Sequence, residues 1–340
     1  MNDAANSSRV TQTLPEAIAR FAPALPLVVA FSGGADSTAL LLACHQRWPG
    51  QVGAIHIHHG LQVAADVFQR HCEQVCAQLK VPLAVSRITA FASAGQSPED
   101  AARIARYRAF ADLALTGWPL AKIAESVTGQ QPTRTLALAQ HADDQVETVL
   151  LALSRGAGLA GLSAMPKQWL RDDIAFHRPL LNVSARDVRS WVALQDIAFV
   201  EDPSNADLRF TRNQIRARIL TPLESVFPHI RDTIARSAAH AAQAQELLLE
   251  LGQDDWVHLR DADSEGLALE RVRELSRARQ ANALRYWLKV RLSTQGSTAQ
   301  LKELLDQVAA CKTRGHKIHI KVGSGFATRQ GDYLTWYNSP

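Results

Sequence analysis

The segment 27–47 constrains the fold of this chain more than any other part of the sequence. A β-branched, apolar run at 27–31 is followed by a glycine-containing loop at 32–37 and by a helical stretch from residue 38. A strand, a glycine loop and a helix in that order bring loop N–H groups and the helix N-terminus to one point, which favours binding of an anion such as phosphate. The sequence therefore predicts a phosphate site within an α/β fold.

The loop differs from the better-known phosphate loops. It consists of Ser32, Gly33, Gly34, Ala35, Asp36 and Ser37. A Walker A loop would end in Gly-Lys-Ser or Gly-Lys-Thr, and a dinucleotide loop would space its glycines as G-x-G-x-x-G. Because a carboxylate repels phosphate unless a cation lies between them, Asp36 indicates a bound Mg²⁺ ion. An ordinary glycine-rich turn is the alternative interpretation.

Strand and helix patterns alternate through the first two thirds of the chain. Apolar runs typical of strands recur at 52–57, 83–88 and 136–139, and they alternate with helical segments at 63–79, 99–115 and 145–153. This alternation predicts a parallel sheet with helices on both faces. The stretch 116–134 interrupts the rhythm and is longer than a helix-to-strand connection needs, so we interpret it as a surface insertion.

The pattern changes after residue 222. Helical periodicity dominates at 230–252, 270–292 and 299–310, and alternating segments at 316–321, 326–329 and 333–337 are typical of short antiparallel strands. We therefore predict an α/β domain over 1–222 and a second, smaller, mainly helical domain over 223–340.

A cluster of acidic residues follows the fourth predicted strand. Asp143, Asp144 and Glu147 lie within seven residues of His141. Ligands of open α/β sheets lie beyond the carboxyl ends of the strands, so this cluster and Asp36 share one edge of the sheet. Three carboxylates could hold Mg²⁺ or a cationic substrate, and capping of the helix N-terminus is the alternative for one of them.

The composition fits a soluble protein with an anionic partner. Of the 37 basic residues only eight are lysine, and the net charge is +4. Arginine suits phosphate and stacked bases, although a GC-rich genome also enriches arginine. The four cysteines are too few for a disulfide framework, and neither a signal peptide nor an 18-residue apolar run is present. We therefore expect a cytoplasmic protein that contacts no membrane.

An ordered set of motifs resembles one family, the tRNA(Ile)-lysidine synthetases of the N-type ATP pyrophosphatase superfamily. Besides the loop, the motifs lie at 56–61, 98–103 with Arg106 and Tyr107, 141–148, 155–162, 178–181, and 201–205 with Arg212 and Asn213. The resemblance implies a Rossmann-like, parallel-sheet ATP pyrophosphatase domain and a smaller, mainly helical tRNA-binding domain. This chain carries Gln140 before His141, where the family often has a second histidine.

The resemblance implies a two-step reaction on a tRNA with a CAU anticodon. The C2 carbonyl oxygen of the wobble cytidine attacks the α-phosphate of ATP, and pyrophosphate leaves. The ε-amine of free L-lysine then attacks C2, and AMP leaves. The amino acid charged on the modified tRNA changes from methionine to isoleucine. The sequence leaves a homodimer open as an alternative to a monomer.

The resemblance and the chemistry together suggest roles for individual residues. We expect Asp36 to bind the metal, the loop 32–37 and His59 to bind ATP, and Asp144 to take part in catalysis. Arg103 or Arg106 would neutralise phosphate, with a surface salt bridge as the alternative. Asp143, Asp144 and Glu147 would bind lysine, and Arg155 and Arg212 the tRNA. Arg212 belongs to an arginine-rich segment, 209–218, which is expected to be a phosphate track.

Two other classes of protein remain as alternatives. A tRNA thiolase of the same superfamily would need a reactive cysteine pair or an iron–sulfur cluster, and the chain has no CxxC motif. A non-catalytic nucleotide-binding module would need fewer carboxylates than this chain places at the sheet edge. Asparagine and GMP synthetases are disfavoured because no N-terminal cysteine nucleophile is present.

Overall fold

A computed structural model describes residues 12–58, 64–88, 98–116, 118–119, 134–261, 266–313 and 315–338. The chain divides into two compact units, Met1–His240 and Ala241–Pro340. The predicted insertion at 116–134 lies almost entirely outside the described residues. None of the described helices is both long enough and apolar enough to cross a membrane.

The first unit is built on a six-stranded sheet. Its strands are β1 (Leu27–Ala30), β2 (Val52–His58), β3 (Leu83–Arg87), β4 (Arg134–Ala137), β5 (Gln168–Arg171) and β6 (Ile174–His177). The order across the sheet is β3-β2-β1-β4-β6-β5, and every neighbouring pair is parallel except β5 with β6. The prediction of a parallel sheet with flanking helices is confirmed.

The helices of the first unit follow the predicted alternation. They are α1 (Leu14–Arg20), α2 (Ala35–Arg47), α3 (Ala64–Leu79), α4 (Pro98–Thr116), α5 (Ala142–Ser154), α6 (Leu159–Leu162), α7 (Ala185–Ala193), α8 (Thr211–Ile215) and α9 (Thr221–Val226). A π-helical turn, Arg216–Leu220, joins α8 to α9. Helices α2 and α5 begin three residues earlier than predicted, so Asp36, Asp143 and Asp144 lie in first helical turns, where the helix dipole favours carboxylates.

Both faces of the sheet are buried, and strand β1 shows why. Leu27 and Val29 pack into a core that includes residues of α1, α2 and α7, whereas Val28 packs on the opposite face with Phe110 of α4. A strand covered on both faces has a continuous apolar sequence instead of an alternating one. This burial explains the uninterrupted apolar run that precedes the glycine loop.

The β5–β6 hairpin was not predicted from the sequence. Its two-residue turn is Asp172-Asp173, with φ angles of 51° and 56°. Such a turn suits the right-handed twist of a hairpin, but Asn-Gly or Asp-Gly is its usual sequence signal. The hairpin adds an antiparallel edge to the sheet, and each of its strands has only four residues.

The second unit packs helices against a four-stranded antiparallel sheet. The long helix α10 (Ile230–Leu259) runs through the division between the units, and it is followed by β7 (Leu267–Ala268), α11 (Leu269–Glu274), α12 (Arg277–Tyr286), a π-helical turn (Trp287–Arg291), α13 (Thr298–Ala310), β8 (His319–Val322), β9 (Gly325–Gln330) and β10 (Tyr333–Asn338). The strand order is β7-β10-β9-β8. The single helix predicted at 270–292 is wrong, because Ser276 caps a new helix there.

Candidate functional site

The site lies where the strand order of the first sheet reverses. Strand β1 pairs with β2 on one side and with β4 on the other, and such a switch point leaves a crevice beyond the carboxyl ends of the strands. A cavity of about 1040 Å³ occupies this position. Its lining includes Ser32, Gly34, Ala35, Asp36, Ser37, Arg106, Gln140, Asp144, Arg189, Glu201, Asp202 and Asn205. The loop and Asp144 therefore meet at one cavity, as the sequence predicted.

Hydrogen bonds within the loop set its shape. Ser37 Oγ donates to the Gly34 carbonyl at 3.0 Å and lies 3.0 Å from Ser32 Oγ. The Gly33 carbonyl accepts from Val200 N at 2.9 Å. Gly34 is the N-cap of α2, and no side chain caps this helix. The first N–H groups of α2 thus remain oriented toward the cavity end of the helix, as binding of an anion requires.

Gly33 is required by its backbone conformation and by its neighbours. Its φ is +87°, and an added Cβ would lie 3.1 Å from Cys72 Sγ. We expect Gly33→Ala to lower the free energy of unfolding by about 1–3 kcal/mol and to slow ATP turnover. Gly50→Ala is the matched control, because Gly50 has φ +75° but no neighbour within 4 Å. Equal losses in the two variants, measured by chemical denaturation, would show that the contact with Cys72 is unimportant.

Asp36 has the environment of a metal ligand. It lies in the first turn of α2, its side chain is 37% exposed, and its Oδ2 atom is 3.7 Å from His141 Nε2. Its Oδ1 atom is buried and has no hydrogen-bond partner among the residues that the structure describes. Although burial alone would lower the pKa of His141, the nearby carboxylates of Asp36 and Asp144 raise it. A carboxylate oxygen without a partner beside a phosphate cradle fits Mg²⁺.

The described residues contain no group of three or more His, Cys, Asp and Glu side chains that could hold a metal ion by themselves. Mg²⁺ commonly binds through one or two carboxylates while phosphate oxygens and water complete its octahedron. The donor set around Asp36 therefore suits a Mg²⁺ ion that arrives with a nucleotide.

The carboxylates of the acidic cluster on α5 form ion pairs with arginines from the C-terminal part of the first unit. Asp143 is buried, accepts from Ala185 N at 2.7 Å and forms an ion pair with Arg231. Asp144 Oδ2 accepts from His141 N at 3.0 Å, and its Oδ1 accepts from Arg216 at 3.3 Å. Of the cluster, Asp144 alone is among the residues that line the described cavity.

Glu147 lies deeper than the other two carboxylates. Its side chain is fully buried, and Oε2 accepts from Arg212 Nη1 at 3.1 Å and from Arg216 Nη2 at 3.2 Å. Arg216 Nε forms a further short hydrogen bond with Oε1. Both carboxylate oxygens are therefore bonded to guanidinium groups, and Glu147 acts in the described structure as the anchor of two arginines.

The other three arginines to which the sequence assigned site roles lie in different environments. Arg106 lines the cavity. Arg103 donates to Asp100 Oδ1 at 2.6 Å on the same helix, which is the surface salt bridge considered as its alternative. Arg155 is exposed at the end of α5 and donates to the Leu151 carbonyl at 3.0 Å. His59 lies outside the described residues.

Gln140 and Arg178 were not assigned site roles from the sequence. Arg178 is only 7% exposed, and its guanidinium donates to Gln140 Oε1 at 3.0 Å and to the Pro166 carbonyl at 2.8 Å. The same group lies 4.0 Å from the ring centroid of Trp169. Burial lowers the pKa of Arg178. The hydrogen bond from Arg178 to Gln140 Oε1 fixes the Gln140 side chain at the cavity wall.

The residues 201–205 were part of the motif set, but no chemistry was assigned to them. Glu201, Asp202 and Asn205 line the cavity, and they follow directly on Val200, which is bonded to the loop at Gly33. The contact joins positions 167 residues apart in the chain, so no local pattern could have revealed it. Glu201 and Asp202 offer further carboxylate oxygen atoms on the cavity wall.

The four cysteines are all buried in the described structure. Burial raises the pKa of the Cys72 and Cys44 thiols, and it raises the pKa of Cys76 to about 12. We expect none of the four to react with iodoacetamide at pH 7 in the folded protein, and all to react in denaturant, because the thiolate is the nucleophile. Rapid labelling of the native protein, detected by mass spectrometry, would instead indicate a redox or sulfur-transfer cysteine.

Two family models match the chain. One is described as a PP-loop domain and matches residues 6–223, and the other is described as a TilS substrate binding domain and matches residues 267–335. The first range includes the glycine loop and the acidic cluster, and the second lies within the second compact unit. The matches therefore cover both units of the structure.

Curated relatives and solved structures agree with these matches. The chain is 53% identical over 312 residues to the tRNA(Ile)-lysidine synthase of Polaromonas naphthalenivorans, which covers 92% of this chain and 89% of that protein. It is 42% identical over 289 residues to the enzyme of that name from Pseudomonas aeruginosa, covering 81% of this chain and 61% of the relative. The U34-tRNA thiolase NcsA of Methanococcus maripaludis superposes over 67% of this chain and 77% of its own, with a TM-score of 0.51 and 13% identity, and it shares the fold alone.

Proposed function

Because the chain belongs to the tRNA(Ile)-lysidine synthase family, we propose that it ligates L-lysine to C2 of the wobble cytidine in a CAU-anticodon tRNA(Ile). In the first step, the C2 carbonyl oxygen attacks the α-phosphate of ATP, and pyrophosphate leaves. In the second step, the lysine ε-amine attacks C2 and loses a proton, and AMP leaves with the oxygen. The product pairs with A instead of G, and the amino acid charged on the tRNA changes from methionine to isoleucine.

The observation that carries this proposal is the meeting of the glycine loop and Asp144 at one cavity. The N–H groups from Ser32 to Ser37 would bind the pyrophosphate portion of ATP, and Asp36 would hold Mg²⁺. When bound, Mg²⁺ neutralises the charge that develops on the transferring phosphorus group. Arg106, on the wall of the same cavity, would neutralise the α-phosphate or the AMP leaving group, whereas Arg103 lies in a salt bridge on the same helix.

Asp144 is our choice for the residue that receives the lysine amine. It lines the cavity and lies beside His141, and its carboxylate can accept a proton from an ammonium group. Arg216 links Asp144 to Glu147, because its guanidinium bonds to both carboxylates, whereas Asp143 is paired with Arg231. Glu147 would reach lysine directly only if the guanidinium groups of Arg212 and Arg216 moved away.

We propose that the tRNA contacts the exposed edges of both units. Arg155 ends α5 beside a short glycine-containing segment, and Arg212 lies 31% exposed in its ion pair with Glu147. Both can bind phosphate without first leaving a buried position. The second unit, which matches the substrate-binding model, would supply the further contacts that a molecule as large as tRNA requires.

The formation of AMP tests this function and separates it from sulfur transfer. With ATP labelled on the α-phosphate, we expect AMP release to require both a CAU-anticodon tRNA transcript and L-lysine, and to fail with a transcript of another anticodon. Release that is independent of lysine but depends on a sulfur donor would favour the thiolase. Binding of ATP without any AMP release would favour a non-catalytic nucleotide-binding module.

A further inference from the structure

The sheet of the second unit buries one face and exposes the other. Val322, Ala327 and Leu334, one from each of β8, β9 and β10, have no measurable exposure and form part of the core of this unit. Since alternate residues of a strand point to opposite faces, their immediate neighbours lie on the other face. That second face carries side chains that the proposed chemistry of the cavity does not use.

Strand register defines the composition of this outer face. Lys321 lies opposite Phe326, which lies opposite Tyr337, and His319 lies opposite Thr328, which lies opposite Thr335. We call these six residues the aromatic face. His319 and Lys321 are exposed, and Tyr337 is 42% exposed. Large aromatic side chains are thus displayed to solvent beside a lysine.

The three rings of the aromatic face are nearly parallel. The ring centroids of His319 and Phe326 are 4.7 Å apart with an interplanar angle of 1°, and those of Phe326 and Tyr337 are 5.6 Å apart at 24°. His319 Nε2 lies 2.8 Å from the Tyr337 hydroxyl, which fixes the two rings relative to each other. Such a cross-strand cluster stabilises a sheet, and it also presents flat π-surfaces that need no rearrangement before a planar ligand stacks on them.

The charge of this face suits an anionic, aromatic ligand. Strands β8, β9 and β10 contain no Asp or Glu, and the cation on this face is Lys321, whereas Arg329 pairs with Leu334 on the buried face. Proteins bind unpaired nucleotides by combining aromatic stacking platforms with cationic contacts to the phosphates. A partner protein or a second copy of this chain would gain less, because neither is expected to bring both planar rings and phosphate charge.

We propose that the aromatic face binds unpaired nucleotides of the tRNA substrate, with a base stacked on the ring cluster at Tyr337 and Phe326 and a phosphate near Lys321. This inference rests on the proposed function, since that function makes tRNA the substrate. It assigns the second unit a direct contact with single-stranded RNA, in addition to any contact with the double-helical stems.

The test compares tRNA binding by variants of the full chain. We expect Tyr337→Ser to raise the Kd for a CAU-anticodon tRNA transcript by about 5- to 100-fold, the usual effect of losing one base stack. Tyr337→Phe keeps the ring and should bind within about twofold of the unmodified chain, although it loses the hydroxyl contact with His319. Lys321→Gln should lower the slope of log Kd against log salt by about one. Lys302→Gln, an exposed change on α13, is the control.

Two further measurements keep the inference separate from the proposed function. If the unmodified chain neither binds the transcript nor releases AMP, the proposed function fails. If it makes lysidine but Tyr337→Ser and Lys321→Gln bind tRNA as well as Lys302→Gln does, only the aromatic face is excluded. Sedimentation of the same variants is the second check, because a changed oligomeric state with unchanged tRNA affinity would overturn the inference in favour of a self-association surface.

Discussion

Asp36→Asn should slow tRNA-dependent AMP formation by about 10³-fold, an effect of the size seen when one preorganised electrostatic contact to a transition state is removed. The carboxylate Oδ1 lies buried in the first turn of α2 without a hydrogen-bond partner in the described part of the chain, and an uncharged amide there would hold Mg²⁺ far more weakly. The affinity for tRNA should change by less than about twofold. Single-turnover assays with labelled ATP measure the first quantity, and filter binding measures the second.

The control for Asp36 is a carboxylate in an equivalent helical position. Asp187 lies in the first turn of α7 and is bonded to the cap residue Ser184, so Asp187→Asn removes a favourable charge near a helix dipole at a position outside the cavity lining. It should leave AMP formation unchanged. If Asp36→Asn retained more than a third of the rate, Asp36 would not be the metal ligand, and the acids at 201–202 would become the candidates.

Glu147→Gln should destabilise the first unit by about 3 kcal/mol, because it removes the buried negative charge that faces two guanidinium groups. Glu147 has no exposed surface, and it holds two guanidinium groups at once. A loss of this size would lower the melting temperature of a unit this large by about 6–12 °C. Differential scanning calorimetry of the full chain resolves the change in the transition of the first unit.

Glu303→Gln is the matched control for the loss of a glutamate charge. Glu303 is exposed on α13 and interacts with Gln307 one turn away, so its change should cost less than about 0.5 kcal/mol. A Glu147→Gln protein that melts normally but requires a much higher lysine concentration would contradict the anchoring role. That result would assign Glu147 to direct recognition of lysine.

The sequence predicted the parts of the site that depend on local chain order. The strand, loop and helix of 27–47 and the strand–helix junction before α5 placed Asp36 and Asp144 at one edge of the sheet, and the structure brings both to one cavity. Local order carries this information because parallel strands in an α/β fold present their carboxyl ends together. The errors of three residues at the starts of α2 and α5 arise because Gly34 and His141 cap these helices without polar side chains of the usual kind.

The pairing of charges could not be predicted, because it joins distant parts of the chain. Glu147 meets Arg212 and Arg216 across 65 and 69 residues. The sequence alone therefore predicts that the carboxylates bind small molecules and that the arginines of 209–218 form a phosphate track. Arg209 likewise pairs with Asp207 only two residues away, an acid that lies just outside that segment. Only tertiary packing shows which charges compensate each other and which face the cavity.

The most direct test of the proposed function is the mass of the wobble nucleoside after reaction. The full chain would be incubated with ATP, isotope-labelled L-lysine and a CAU-anticodon tRNA transcript, and the RNA digested to nucleosides for mass spectrometry. We predict that the wobble cytidine is replaced by a nucleoside containing the label, and only when ATP is present. Unmodified cytidine, or a sulfur-containing nucleoside formed with a sulfur donor, would contradict the assignment of this chain to lysidine synthesis.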